Sequence, residues 1–168
     1  HRLAERRLDF VQICRGLIAD PDWVRNIERN RIDRIRPCLA CNHCRNQLVL
    51  CNPVTCSVNP ETGRERDADD IPVASTRRKV VVAGGGPAGM EAARVAAVRG
   101  HAVTLCEKHD RLGGLLGVAG IHNERIEQYQ RWLEAELRQL PIEIRLHTEV
   151  TPELVAELRP DHVILATG

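Results

Sequence analysis

The apolar positions of this chain follow two periods, and the second half follows them most clearly. Short runs rich in β-branched residues predict strands, because successive strand side chains point to opposite faces of a sheet. The predicted strands are Val80 to Ala83, Ala102 to Cys106, Ile142 to Leu146 and His162 to Ala166. The segments predicted as helices are Met90 to Arg99, Asn123 to Leu140 and Pro152 to Leu158. Strands alternating with helices predict an α/β fold.

The first thirty residues predict one further α/β step. Arg2 to Leu8 has helix-forming composition, and Leu8 to Cys14 has the pattern of a mostly buried strand. Arg15 and Gly16 then turn the chain. Asp20 and Pro21 supply an N-cap and a first-position proline for a helix of about nine residues. An arginine directly after a strand either binds a phosphate, as at the end of a barrel strand, or is an ordinary surface residue.

A glycine-rich turn follows the strand that ends at Ala83. Gly84-x-Gly86-x-x-Gly89 has the spacing of a dinucleotide-binding turn. In such a turn the first glycine allows the tight turn, the second allows a pyrophosphate to approach the backbone, and the third allows the helix to pack closely on the strand. Glu107 ends the second strand, roughly 20 residues downstream, where an acid that binds a ribose is expected. The alternative is a plain glycine turn. The strand, the helix, the second strand and the acid follow one another at the spacing of a dinucleotide-binding unit, which favours nucleotide binding.

Composition excludes several function classes. The 168 residues carry a net charge of +1 and only 2% aromatic residues, which gives no basis for binding nucleic acid or an anionic membrane. No apolar run approaches the roughly 18 residues of a membrane span, and no signal peptide is visible. Seven cysteines beside a nucleotide-binding pattern indicate a metal or redox site in a reducing compartment, so we expect a cytoplasmic protein. A chain that starts at His1, with Met90 as its single methionine, is interpreted as a fragment.

Four cysteines have the spacing of iron–sulfur ligands. Cys38, Cys41 and Cys44 recur at intervals of three, and Cys56 is remote, so that a short loop can wrap three thiolates around a cluster while a fourth closes it. Structural zinc, which more often uses two separated Cys-x-x-Cys pairs, is the alternative. By spacing alone, Cys51 competes with Cys56 for the fourth position. His43, between two of these cysteines, is predicted to lie outside the ligand set.

The segment from Asp9 to Trp23, Asp-Phe-Val-Gln-Ile-Cys-Arg-Gly-Leu-Ile-Ala-Asp-Pro-Asp-Trp, resembles the last barrel strand and loop of the Old Yellow Enzyme group. In that group the arginine holds the phosphate of FMN. The resemblance therefore implies an FMN-phosphate site at Arg15, with the backbone of Cys14 and Gly16.

The cysteine segment extends the resemblance. Thr-Cys-Ser-Val-Asn-Pro, which contains Cys56, is similar to the fourth-ligand motif of the family of bacterial 2,4-dienoyl-CoA reductase and trimethylamine dehydrogenase. This implies a 4Fe–4S cluster held by Cys38, Cys41, Cys44 and Cys56, and it favours Cys56 over Cys51.

The same resemblance implies FAD contacts in the second half. The glycine turn and the acid at its second strand would contact the FAD phosphates and ribose, and Arg-Leu-Gly-Gly-Leu-Leu and the final Ala-Thr-Gly resemble motifs that approach the flavin. Where the reductases often carry glutamine after the double glycine, this chain has Leu115, so a contact there would use the main chain. The implied residues are Gly84, Gly86, Ala88, Gly89, Glu107, Gly113, Gly114, Leu115, Arg125 and Val150.

The resemblance implies an architecture and an activity. Residues 1–30 would be the C-terminal end of an FMN-binding (β/α)8 barrel, 31–66 the cluster segment, 67–78 a linker, and 79–168 the first part of a Rossmann-like FAD/NAD(P)-binding domain. Electrons would pass from NAD(P)H through FAD and the cluster to FMN, which reduces an activated C=C bond of a small-molecule substrate. The alternatives are an amine dehydrogenase with ADP in the nucleotide domain, and a non-catalytic, truncated metal-binding module.

Overall fold

A computed structural model describes residues 9–65 and 72–168 of the chain. The chain forms two compact units, His1–Gly63 and Arg64–Gly168. No helix within the described residues is both long and apolar enough to cross a membrane.

The first unit consists of short helices joined by loops. It contains α1 (Arg15–Ala19), α2 (Trp23–Glu28), a 3-10 turn (Ile32–Arg34) and α3 (His43–Val49). Hydrogen bonds from side chains connect these elements: the Asp20 carboxylate accepts from the backbone N–H of Arg36 at 3.0 Å. The Asn59 amide and the Thr62 hydroxyl both donate to the Ile18 carbonyl at 3.0 Å. Polar contacts therefore connect the end of α1 to segments far along the chain.

The predicted strand over Leu8 to Cys14 is wrong in its described part, because residues 9–14 form no strand. Phe10 is 85% exposed, although a buried strand was expected there. The physical reason is that a strand takes its backbone hydrogen bonds from neighbours, and the described part of this unit contains no other strand. Leu8, and the helix predicted over Arg2 to Leu8, lie outside the described residues.

Two further local predictions in this unit need correction. Arg15 and Gly16 are the first turn of α1 rather than a turn between elements, and α2 begins at Trp23 rather than Pro21. Asp20 does not cap α2 directly. Its carboxylate accepts from Asp22 N–H at 3.0 Å and from Arg36 N–H, so it holds the loop before the helix.

The second unit is a parallel α/β sheet, as the alternating pattern predicts. Its elements are β1 (Lys79–Ala83), α4 (Pro87–Val98), β2 (Ala102–Cys106), α5 (Leu115–Gly120), α6 (Glu124–Arg138), β3 (Ile142–Arg145), α7 (Pro152–Leu158) and β4 (His162–Leu165). The strand order is β3-β2-β1-β4, and every neighbouring pair is parallel. Strand β1 is central, which explains why four of its five residues are buried.

The core of the second unit lies between the sheet and helices α4 and α6. Met90 of α4, Leu105 of β2 and Leu133 of α6 have no exposed surface. The helix predicted over Asn123 to Leu140 forms as α6, and its apolar residues Tyr129, Leu133 and Leu137, which recur at helical spacing, are buried. This core fixes the end of β1, and with it the glycine turn, against a rigid sheet.

Candidate functional site

The glycine turn is packed so tightly that two of its glycines cannot carry a side chain. Gly84 has φ +110°, a conformation open mainly to glycine, and a Cβ on it would collide with the Ala166 carbonyl oxygen beyond β4. A Cβ on Gly89 would collide with the Gly84 carbonyl oxygen. The first and third glycines therefore allow the turn itself and the close contact of α4 with β1.

Gly86 differs, because a Cβ on it would meet no atom within 4 Å. It is the N-cap of α4, and Pro87 follows as the first helical residue. Open space therefore lies directly over the backbone at the start of a 12-residue helix, where N–H groups and the helix dipole attract phosphate. This is the cradle that the fingerprint predicts for a pyrophosphate.

Glu107 is buried beneath this turn, with 6% of its surface exposed. One carboxylate oxygen accepts from the Gly85 backbone N–H at 2.6 Å, and the other accepts from His109 N–H at 2.9 Å. Burial alone would raise the pKa of Glu107, but these two hydrogen bonds outweigh burial and hold the pKa below its usual range. The predicted ribose acceptor is therefore ionised and fixed at the edge of the cradle.

The double glycine packs onto the same turn. Gly113 donates its backbone N–H to the Gly85 carbonyl at 2.8 Å. A Cβ on Gly114 would lie 3.2 Å from the Gly86 Cα, so the two glycine segments are in contact. Both have positive φ, +104° and +51°, which explains why glycine occupies these positions.

The remaining predicted FAD contacts are distributed around the second unit. Ala88 is exposed on the first turn of α4, and Leu115, at the start of α5, is 81% exposed. Arg125 is exposed on the first turn of α6, and its backbone N–H donates to the Asn123 side chain. Val150 is half-buried in the loop after β3, where the Thr148 N–H donates to the Glu107 carbonyl at 2.8 Å. Their roles toward FAD stay predictions.

In the first unit, the four predicted cluster cysteines line one cavity. Cys51 is exposed and does not line it. The lining residues are Arg15, Ile18, Cys38, Leu39, Cys41, Asn42, Cys44, Cys56, Ser57 and Val58. No three His, Cys, Asp or Glu side chains in residues 9–65 and 72–168 converge into a ready-made site for one metal ion. The four cysteines nevertheless line the same cavity, as a shared set of cluster ligands requires.

Two of these sulfurs are hydrogen-bonded. The Ala40 backbone N–H donates to Cys38 Sγ at 3.4 Å, and Cys41 Sγ lies 3.2 Å from Ser57 Oγ. Burial of Cys41 raises the pKa of its thiol, but the hydrogen bonds with Ser57 and the His43 backbone, aided by the charge of Arg15, hold the pKa below its usual value. Such donors stabilise a thiolate, the form that ligates iron.

The other predicted residues of the first unit lie near this cavity. Arg15 is exposed and lines it, whereas Gly16 packs against Ile13 and Cys14 caps α1 in an exposed position. His43 is hydrogen-bonded through Nε2 to Thr55 Oγ1 at 2.8 Å and does not line the cavity.

Three residues that the sequence did not indicate also belong to these sites. Gly85 supplies the N–H that binds Glu107, Ser57 contacts the sulfur of Cys41, and Asn42 contacts Arg15. Gly85 could have been found as the middle glycine of an uninterrupted Gly-Gly-Gly run. The contacts of Ser57 and Asn42 join distant segments, and no local pattern marks them.

Comparison with known proteins identifies the family. The sequence profile of the FAD dependent oxidoreductase family matches residues 79–161. The chain is 46% identical to an NADH oxidase from Thermoanaerobacter brockii, over 99% of the chain and 26% of that protein. It superposes on the structure of a 2-naphthoyl-CoA reductase complex with a TM-score of 0.93 and 37% identity, over 99% of the chain and 26% of that structure. The chain belongs to the family of 2,4-dienoyl-CoA reductase and trimethylamine dehydrogenase.

This family includes relatives named for different reactions. The chain is also 43% identical to an N,N-dimethylglycine/sarcosine dehydrogenase from Chromohalobacter salexigens, over 96% of the chain and 24% of that protein. The chain spans about a quarter of the length of these relatives. The family resemblance inferred from the cysteine and glycine motifs is confirmed.

Proposed function

We propose that this chain is the electron-transfer part of a flavin oxidoreductase that passes electrons from NAD(P)H through FAD and a 4Fe–4S cluster to FMN, for reduction of an activated C=C bond. The observation that carries the proposal is that one chain contains two candidate sites. A cavity lined by four cysteines lies in one unit, and an open phosphate cradle at Gly86 lies in the other. A one-electron carrier is what lets two flavins that each handle hydride exchange electrons.

In the second unit, three groups of residues would hold FAD. The N–H groups after Gly86 would bind the pyrophosphate, and the absence of a side chain there leaves it room. Glu107 would accept hydrogen bonds from the adenosine ribose, and its negative charge would repel a 2′-phosphate. The double glycine lies against the cradle, close enough for its main chain to contact the cofactor.

In the first unit, Cys38, Cys41, Cys44 and Cys56 would hold the cluster, because these four thiols share one cavity. A single zinc ion is less favoured by the cysteine spacing, because structural zinc more often uses two separated Cys-x-x-Cys pairs, whereas this chain has three cysteines at intervals of three and one remote cysteine. Arg15 would bind the FMN phosphate as the family resemblance implies.

The test is cofactor analysis of the intact parent protein purified anaerobically. We expect roughly four iron per chain, with FAD and FMN released on denaturation. Cys51→Ser is the matched control, because Cys51 lies outside the cavity; it should leave the iron content unchanged, whereas Cys56→Ser should lose the cluster. Stoichiometric zinc without iron, or equal iron loss in both variants, would contradict the ligand set.

The second candidate is an amine dehydrogenase that holds ADP in the nucleotide domain. The observation that favours it is the 43% identity to a dimethylglycine/sarcosine dehydrogenase. The same extraction separates the candidates, because retained ADP without FAD supports the amine dehydrogenase. A protein with neither flavin nor ADP would support the third possibility, a non-catalytic metal-binding module.

A further inference from the structure

Arg15 and Asn42 meet at the edge of the cysteine cavity although they are 27 residues apart. Arg15 Nη1 donates to Asn42 Oδ1 at 2.6 Å. Both residues line the cavity with the four cysteines, and Asn42 lies in the chain between Cys41 and Cys44. The guanidinium is thus anchored to the loop that carries three of the four thiols.

The backbone of Asn42 explains why this residue is suited to the contact. It is the N-cap of α3 with φ +59°, a left-handed conformation that asparagine tolerates better than most residues. Its carbonyl accepts from the Asn46 N–H at 2.9 Å, which starts the helix. The side chain of Asn42 makes no capping hydrogen bond to the helix. Its Oδ1 atom instead accepts the hydrogen bond from Arg15.

We propose that Asn42 is a positioning residue that holds the positive charge of Arg15 at the cysteine cavity and so raises the reduction potential of the cluster bound there. The inference rests on the proposed function, because it requires a cluster in this cavity. Adding one electron at the cavity adds one negative charge, which a nearby cation stabilises. The Asn42 amide is neutral, so it holds the guanidinium without adding a negative charge beside the cavity, as a carboxylate at position 42 would.

The experiment is a dithionite titration of the intact, anaerobically purified parent protein, followed by the EPR signal of the reduced cluster. Arg15→Gln removes the charge and should make reduction about tenfold less favourable, a midpoint about 59 mV lower for a one-electron couple. Asn42→Gly keeps the left-handed backbone accessible but releases Arg15, and should lower the midpoint by roughly half as much. The double variant should match Arg15→Gln alone, because Asn42 acts through Arg15.

One control variant and one check on flavin content keep the result specific. Asn46→Ala, on α3 but outside the cavity, should leave the midpoint unchanged. The midpoints are compared only in preparations with the FMN content of the parent protein, because loss of FMN phosphate from Arg15→Gln would remove negative charge and offset the expected decrease. An unchanged midpoint in Asn42→Gly, or additive shifts in the double variant, would overturn the inference. Absence of iron from the parent protein would overturn the proposed function first, before any potential is measured.

Discussion

At the scale of single residues, Glu107 contributes to the glycine turn before any nucleotide binds. Its buried carboxylate already accepts hydrogen bonds from the N–H groups of Gly85 and His109. A carboxylate has about four acceptor positions, so capacity remains for ribose hydroxyls. Structural support and the proposed ribose binding would therefore be combined in one side chain, and a substitution would affect both.

We expect Glu107→Ala to lower FAD affinity about ten- to a hundredfold in the intact parent protein, through loss of charge-assisted hydrogen bonds worth roughly 1.5–3 kcal/mol. It should also destabilise the FAD-free protein by about 1–3 kcal/mol, because Gly85 loses its buried partner. Titration with FAD and denaturant unfolding measure the two effects separately. Glu107→Gln should lose less, and Glu149→Ala, an exposed acid in a nearby loop, should lose neither.

The pH dependence distinguishes the charge from the shape of the Glu107 side chain. Its folded-state pKa lies below the usual value, so its contribution to stability is present above the unfolded-state pKa and is lost as pH falls through the folded-state pKa. The stability difference between the parent and Glu107→Gln should therefore shrink on acidification below the usual range of glutamate. FAD affinity unchanged by Glu107→Ala would show that the carboxylate does not bind the ribose.

At the scale of elements, two glycines of the turn between β1 and α4 have different roles, one in packing and the other in the proposed binding. Gly89→Ala should destabilise the protein strongly, by several kcal/mol, because its Cβ collides with the Gly84 backbone. Gly86→Ala should change stability by less than about 1 kcal/mol, the cost of a poorer N-cap. It should nevertheless weaken FAD binding at least tenfold, because the new methyl group occupies the cradle.

Unfolding by denaturant and FAD titration of the same two variants check this pair. Both variants replace glycine by alanine, at positions three residues apart. A difference between them therefore cannot come from a general stiffening of the backbone. Equal FAD affinity in Gly86→Ala and the parent protein would mean that the phosphates do not approach this backbone.

An element could be predicted from the sequence when residues close together in the chain determine it. β1, β2 and the buried face of α6 follow from periodic apolar residues, and α7 begins and ends as predicted at Pro152 and Leu158. Helix α5 was missed, because its glycines have low helix propensity. It forms against α6, where a Cβ on Gly120 would lie 3.4 Å from the Glu127 Cα.

The site residues show the same division. The cysteine spacing and the glycine fingerprint are local, so the sequence alone indicated the four cysteines that line the cavity and the glycines that form the turn. Their binding roles stay predictions. The Arg15 to Asn42 contact joins segments 27 residues apart, and only the folded chain shows it. The strand expected before Cys14 was wrong, since its pattern alone could not show that neighbouring strands were lacking.

At the scale of the whole molecule, the two units differ in what stabilises them. The buried apolar residues of the first unit, within its described part, are Ala19 and Val58, whereas the second unit buries residues along β1, β2, α4 and α6. A unit with so little apolar core depends on other links, such as metal ligation. The proposed cluster, when bound, is therefore expected to contribute much of the stability of the first unit.

We expect removal of iron from the intact parent protein to unfold the cysteine segment and leave the second unit folded. Hydrogen exchange should show lost protection in α3, whose amides span His43–Val49, and unchanged protection in β1 and β2. Reconstitution with iron and sulfide should restore it, and Cys51→Ser should behave as the parent does. Protection of α3 that survives complete iron removal would contradict this role of the cluster.

The pairing of β4 with β1 also has a consequence for biosynthesis. Lys79 meets Asp161 across 82 residues, and Gly84 packs against the carbonyl of Ala166, so the phosphate cradle is complete only after β4 has docked. Chains emerge from the ribosome N-terminus first, and contacts between distant residues form late. The residues lining the cysteine cavity extend only from Arg15 to Val58 and are all available much earlier. Loading of iron and sulfide is therefore expected to precede loading of flavin as the protein is made.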